Sequence, residues 1–207
     1  LDGTKTFSLD GKDINSAYFG QSSFARRSIV RGFCAVKIEK DLPLDILCCI
    51  GCGVQTGAGT VLNVLKPQVG SSIAIFGVGG VGLAAIMAAK NFTPASKIIA
   101  VDIVESRLEL AKELGATHTV NSKGGKIVEL IHSVMDGDGV NRAVDCTGNL
   151  AVIQAMIEAT ANNGIAATVG GAAHNTFIQI EPATWIGRNV SYIGSCQGSS
   201  VPDTVSQ

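Results

Sequence analysis

An excess of charge of either sign is missing. The formal net charge is -1, from 16 Lys and Arg against 17 Asp and Glu. The chain therefore has no global field to draw nucleic acid or an acidic membrane surface, and neither partner is expected. Cysteine is limited to 6 residues in 207, too few for a disulfide scaffold. The six are unevenly placed, at Cys34, Cys48, Cys49, Cys52, Cys146 and Cys196, and we expect reduced thiols in a cytoplasmic protein. Long apolar runs are also wanting. The stretch 72–89 is broken by Gly77, Gly79, Gly80 and Gly82, so it is not a membrane span. No internal repeat, low-complexity tract or signal peptide is read. The chain opens on Leu1 rather than Met, so a fragment or trimmed chain is expected.

Hydrophobic residues make up 46% of the chain and charged residues 16%, with 25 Gly but 5 Pro. That supports a real core and suits helices packed closely on a parallel sheet. From Ser71 onward strand and helix patterns alternate. "SSIAIFG", "SKIIAVDI", "HTVNS", "NRAVDCTG", "GIAATVGG" and "NVSYIGS" read as six strands. "GGVGLAAIMAAKN", "VESRLELAKELGA", "KIVELIHSVMDGDG" and "NLAVIQAMIEATANN" read as helices between them. Parallel strands need such crossovers, so the fold class is α/β, a doubly wound parallel sheet of six strands. The first ~55 residues differ. "TKTFSLDGKDI", "SSFARRSIV" and "CAVKIEK" read as short strands without helices, a meander too small to bury a core alone on the scaling for ~60-residue domains.

"IAIFGVGGVG" carries Gly77-x-Gly79-x-x-Gly82 after a strand and at the start of a helix, the context in which that spacing has meaning. Gly77 allows the tight turn, Gly79 the approach of a pyrophosphate, and Gly82 the packing of helix on strand. Amides of the first helical turn, aided by the helix dipole, would hold the diphosphate. Asp102 ends the second strand, 20 residues after Gly82. Its carboxylate can accept from the ribose hydroxyls and would repel a 2′-phosphate, which favours NAD over NADP. Arg107 could reach the same ribose. If the glycines form only a tight turn, Asp102 is only a strand-end cap.

Cys49 and Cys52 have C-x-x-C spacing. A redox dithiol belongs at the first helix of its own domain, which is not the context here. A closed structural zinc site needs a second pair, which is absent; His118, His132 and His174 are scattered. A catalytic zinc needs three protein ligands, and Cys52 could be one.

"CCIGCGVQTGAGTVLNVLKPQVGSSIAIFGVGGVGLAAIMAAK", followed by "IIAVDIVESRLELAKELGATHTVN", resembles the zinc-dependent medium-chain alcohol dehydrogenases. With "FGQSSFA" at residues 19–25 it is most similar to the aryl-alcohol (benzyl alcohol) branch. The resemblance implies a Rossmann domain over 56–194, preceded by the remnant of a GroES-like catalytic domain over 1–55. Residues 195–207 would begin the return to that domain. It implies that Cys52 is one ligand of the catalytic zinc and that Thr56 contacts the nicotinamide. Cys48 and Cys49 match no ligand and are expected to be packing residues. Further cofactor contacts are implied at Val78, Gly80, Val81 and Ile103, at Cys146, Thr147 and Gly148, and at Val169, Gly170 and Gly171. Backbone near Gly194 and Cys196 is implied beside the carboxamide. The family's other zinc ligands and its proton relay lie upstream of the segment matching Leu1, and "FARR", with Arg26 and Arg27, departs from its pattern. The expected function is the cofactor-binding portion of an NAD- and zinc-dependent dehydrogenase of aryl or primary alcohols. A homo-oligomer would form through the sheet edge near 190–194. The alternative is a non-catalytic NAD-binding module. A zinc-free reductase is disfavoured by Cys52 and Asp102.

Overall fold

The computed structural model describes residues 5, 7–14, 26–28, 30, 32 and 35–200. The chain divides into two compact units, Leu1–Leu42 with Val201–Gln207, and Pro43–Ser200. In the first, β1 (Phe7–Leu9) pairs antiparallel with β2 (Lys12–Ile14). Asp10 and Gly11 join them, both at positive φ (50° and 73°), the Asp-Gly turn that matches strand twist. The expected strand at "CAVKIEK" is not formed: residues 35–39 make no ladder, and a strand exists only through its pairing. Residues 19–25, Cys34 and most of "SSFARRSIV" lie outside the described residues.

The second unit opens on a helix to which sequence periodicity assigned nothing. α1 spans Leu44–Leu65, α-helical over Gln55–Gly59 and widened to π geometry over Ile50–Val54 and Thr60–Leu65. Its four glycines argue against a helix on propensity. Packing overrides that. A Cβ on Gly57 would lie 2.1 Å from the Val81 carbonyl, so glycine lets α1 seat on the next helix. By length and mean hydropathy (1.4) α1 could cross a membrane, yet Val61 and Leu65 are fully buried in the sheet's core.

The sheet then follows: β3 (Ser72–Phe76), β4 (Lys97–Asp102), β5 (His118–Asn121), β6 (Val140–Asp145), β7 (Thr160–Thr168) and β8 (Ser191–Gly194). Between them run α2 (Gly80–Phe92), α3 (Glu105–Glu113), α4 (Ile127–Val134), α5 (Leu150–Glu158) and α6 (Pro182–Arg188). The strands are all parallel, in the order β5-β4-β3-β6-β7-β8. Alternate side chains supply two cores. Ile73, Ile75, Ile98 and Ala100 pack with α1, α2 and α3. Phe76, Ile99, Val101 and Ala143 pack with α4 and α5. Fully burying one such Ile contributes about 1.5–3 kcal/mol.

Two further boundaries differ from the periodicity. The helix read through "ATANN" stops at Glu158, and 160–168 is strand, with a register shift between Val140 and Arg142. Asn163 at φ 59° makes the break there. α6 was not read at all; Pro182 opens it at its first turn and left-handed Asn189 closes it.

Candidate functional site

β3 and β4 end side by side, and the chain turns sharply after β3. Gly77 takes φ 85° and donates its N–H to the Val101 carbonyl at 2.7 Å. A Cβ there would meet Thr147 Cγ2 at 2.5 Å, and one on Gly82 would meet the Gly77 carbonyl at 2.0 Å. Both glycines are demanded by the turn itself. Gly79 is not. It has φ -75° and ψ -165°, extended backbone open to any residue, and a Cβ there would meet nothing within 4 Å. Gly80 likewise faces open space.

Gly79 stands on the wall of a cavity of about 360 Å³, with Gly77, Asp102, Ile103, Arg107, Cys146, Thr147 and Asn149. Asp102 is buried. Its Oδ1 accepts the N–H groups of Ile103 (2.8 Å) and Val104 (3.0 Å), and its Oδ2 accepts that of Val78 (2.8 Å). A carboxylate offers about four lone-pair sites, so one remains, on Oδ2. Arg107 Nη1 lies 4.0 Å from that oxygen.

Asp145, with no exposed surface, organises the opposite wall. Its carboxylate accepts the Thr147 N–H (2.9 Å), the Thr147 hydroxyl (2.6 Å) and the Gly148 N–H (3.2 Å). Its carbonyl accepts the N–H groups of Val169 and Gly170. The loops after β6 and β7 meet back to back, for a Cβ on Gly170 would lie 2.1 Å from the Gly148 nitrogen. Burial, with the Asp145 carboxylate beside it, pushes the Cys146 thiol well above the ordinary thiol range. Within β6, burial lowers the pKa of Arg142, whose Nε donates to the Leu65 carbonyl at 2.7 Å.

The remaining candidates form a second group on α1. Cys52 is exposed and Thr56 half-buried. A Cβ on Gly53 would reach Val81 Cγ2 at 4.0 Å, which ties this part of α1 to the first turn of α2. The Thr56 carbonyl accepts the Thr60 hydroxyl (2.8 Å), and Thr60 Oγ1 also meets Ser195 Oγ at 3.0 Å. Thr60 has one proton, and it is spent on Thr56, so Ser195 donates to Thr60. Gln197 Nε2 donates to Cys52 Sγ at 3.8 Å.

The structure thus gathers Gly77, Gly79, Asp102, Ile103, Arg107, Cys146 and Thr147 at one cavity. Val78 and Gly82 are buried beneath it, and Gly80 and Val81 open α2 beside it. Gly148, Val169, Gly170 and Gly171 do not line it: Val169 and Gly170 donate to the Asp145 carbonyl behind the wall, and Gly171, exposed, lies against Gly148. Cys48 and Cys49 are not packing residues: both are exposed, and each S–H turns back to the carbonyl three residues earlier. Sequence reading missed Ser122 and Val152, which line the cavity, and Gln55 and Gln197, whose roles depend on contacts no local pattern encodes. Among the described residues no three His, Cys, Asp or Glu side chains converge as a metal site.

The strand order, with β3 first and the crossing point between β3 and β6, is that of the dinucleotide-binding α/β folds, whose ligands lie at the carboxyl ends of the strands. Residues 80–207 match the family model described as zinc-binding dehydrogenase, and the chain belongs to that family. It is 38% identical over 98% of its length to alcohol dehydrogenase 1 of Pisum sativum, covering 53% of that protein. An alcohol dehydrogenase zinc-binding domain protein from Burkholderia ambifaria is 42% identical, with a TM-score of 0.86, over 94% of this chain and 52% of that one. The benzyl alcohol dehydrogenase of Acinetobacter calcoaceticus is also 42% identical, with a TM-score of 0.85, over 91% of this chain and 52% of that one. The chain spans about half the length of these relatives.

Proposed function

We propose that this chain is the cofactor-binding portion of an NAD- and zinc-dependent alcohol dehydrogenase. Gly79 carries the reading. Neither its backbone conformation nor its packing requires glycine, whereas close approach of a diphosphate along the cavity wall does. Amides at the start of α2 have no intrahelical partners and point, with the helix dipole, at that place. The remaining lone pair of Asp102 accepts one ribose hydroxyl, and its negative charge opposes a 2′-phosphate. Thr56 would meet the nicotinamide end. When bound, the dinucleotide supplies the hydride acceptor.

Family membership also implies zinc. Cys52 is a candidate ligand, but the described residues do not form a zinc site. We assign residues 1–55 to a catalytic-domain remnant, 56–194 to the nucleotide-binding domain and 195–207 to the start of the return. The substrate class is an aryl or primary alcohol, supported by the likeness to benzyl alcohol dehydrogenase. β8 is the last strand of the sheet and its free edge suits pairing with a second copy. The exposed thiols Cys48, Cys49, Cys52 and Cys196 suit a reducing cytoplasm.

Fluorescence titration with NADH and NADPH tests the assignment. Asp102→Ala should weaken NADH by about 10- to 100-fold, the worth of a charged hydrogen bond, and NADPH by less. Equal losses would overturn the ribose assignment.

A further inference from the structure

The turn Gln197–Ser199 follows β8 in a conformation that residues other than glycine avoid. Gln197, Gly198 and Ser199 have φ of 52°, 65° and 49°. Left-handed backbone at two non-glycine positions persists only where surroundings over-determine it. Here α1 supplies the constraint. Asn63 Nδ2 donates to the carbonyls of Gly198 (3.1 Å) and Ser199 (3.4 Å). Gln55 Nε2 donates to those of Ser200 (3.1 Å) and Gln197 (3.5 Å). Two amides thus hold four successive carbonyls. The backbones almost touch: a Cβ on Gly59 would lie 2.6 Å from the Gly198 carbonyl.

Gln55 is 3% exposed, and its Oε1 has no hydrogen-bond partner among the described residues. Rotating the amide would aim that oxygen at two carbonyls, so its orientation is set. A buried acceptor without a partner opposes folding, and leucine would fill the place without one. What the amide alone provides is its pair of donors on the turn. The turn in turn carries Gln197, whose side chain donates to Cys52 Sγ.

We propose that Gln55 is a positioning residue: it holds the left-handed turn against α1 so that the Gln197 amide orients the sulfur of Cys52. The proposal rests on the dehydrogenase reading only in placing Cys52 at the reacting end of the site. Its test involves neither cofactor nor turnover, so the two can fail separately.

The test compares wild type with Gln55→Leu by amide exchange and by the rate at which iodoacetamide labels Cys52 relative to exposed Cys48, both read by mass spectrometry. In Gln55→Leu the amides of Ser199 and Ser200 should exchange about tenfold faster, and the Cys52 to Cys48 ratio should rise several-fold. Amides of β3 and β4 and the melting temperature should stay as in wild type. Unchanged Ser199, Ser200 and Cys52, or loosening that spreads equally to β3 and β4, would overturn the proposal. Gln197→Ala is the second variant, and it stands even where Gln55→Leu does not fold. It should raise the Cys52 ratio while leaving exchange at Ser199 and Ser200 unchanged. A ratio that does not move overturns the proposal by itself.

Discussion

The cavity beside β3 and β4 and the patch of α1 around Cys52 are built by opposite means. At the cavity, short stretches make their own geometry. Gly77 turns the chain, Gly82 clears the Gly77 carbonyl, and Asp102 folds its carboxylate onto the N–H groups of its next two residues and of Val78. At α1 the partners come from more than 130 residues away in sequence: Gln55 with Ser200, Thr60 with Ser195, Cys52 with Gln197. The first region tolerates little at its turn and can be read locally. The second depends on the sheet being complete before its contacts exist.

Substitutions at the glycines give the largest expected effects and set the regions' rigidity. Gly82→Val would drive side-chain atoms into the Gly77 carbonyl and should cost about 3 kcal/mol or more, read as a fall in melting temperature. A melt within about 2 °C of wild type would erase the contrast between a demanded glycine and a free one. Gly79→Val is the counterpart. Its Cβ meets nothing within 4 Å, so only the poorer N-cap preference of Val is felt, a cost of about 1 kcal/mol, while NADH affinity falls at least tenfold. A loss as large as that of Gly82→Val would return Gly79 to the role of a turn residue.

Smaller effects test the electrostatics. Burial first, and the Asp145 carboxylate second, raise the Cys146 thiol above its ordinary 9.0. A group whose folded pKa is raised contributes stability below its unfolded pKa and loses it as pH climbs toward the folded one. Wild type should therefore lose stability above about pH 9, and Cys146→Ala should lose less over that range in pH-dependent melts. Identical alkaline limbs would show that the thiol is not withdrawn from water. Smallest of all is Cys48→Ser. The side chain is exposed and bonded only within its own turn, so stability should stay within about 0.5 kcal/mol. A larger loss would restore the packing role that exposure denies.

Legibility follows the same division. Most of the six strands were readable as short runs with apolar cores stopped by turn signals, β5 (His-Thr-Val-Asn) being the weakest, and β3, buried along its whole length, shows the uniform pattern of a strand covered on both faces. The glycine spacing and Asp102 were readable because both sit at strand ends with fixed offsets. α1 was not, because its glycines argue against helix one residue at a time, and only the fit of Gly57 against Val81 reverses that. α6 carries no buried residue, so it left no apolar stripe to find. The length of α5 was overread because "ATANN" has no strong stop, while pairing of β7 with β6 claims those residues.

Sequence alone determined the class of fold, the glycine-rich turn after β3 and the acidic strand end, because these rest on periodicity and on backbone conformations that specific residues permit or forbid. Tertiary structure alone decided that residues 44–65 form one helix and that a strained turn after β8 is held beside Cys52. Those depend on which groups meet across the sheet, and a hydrogen bond between distant residues leaves no trace in their spacing.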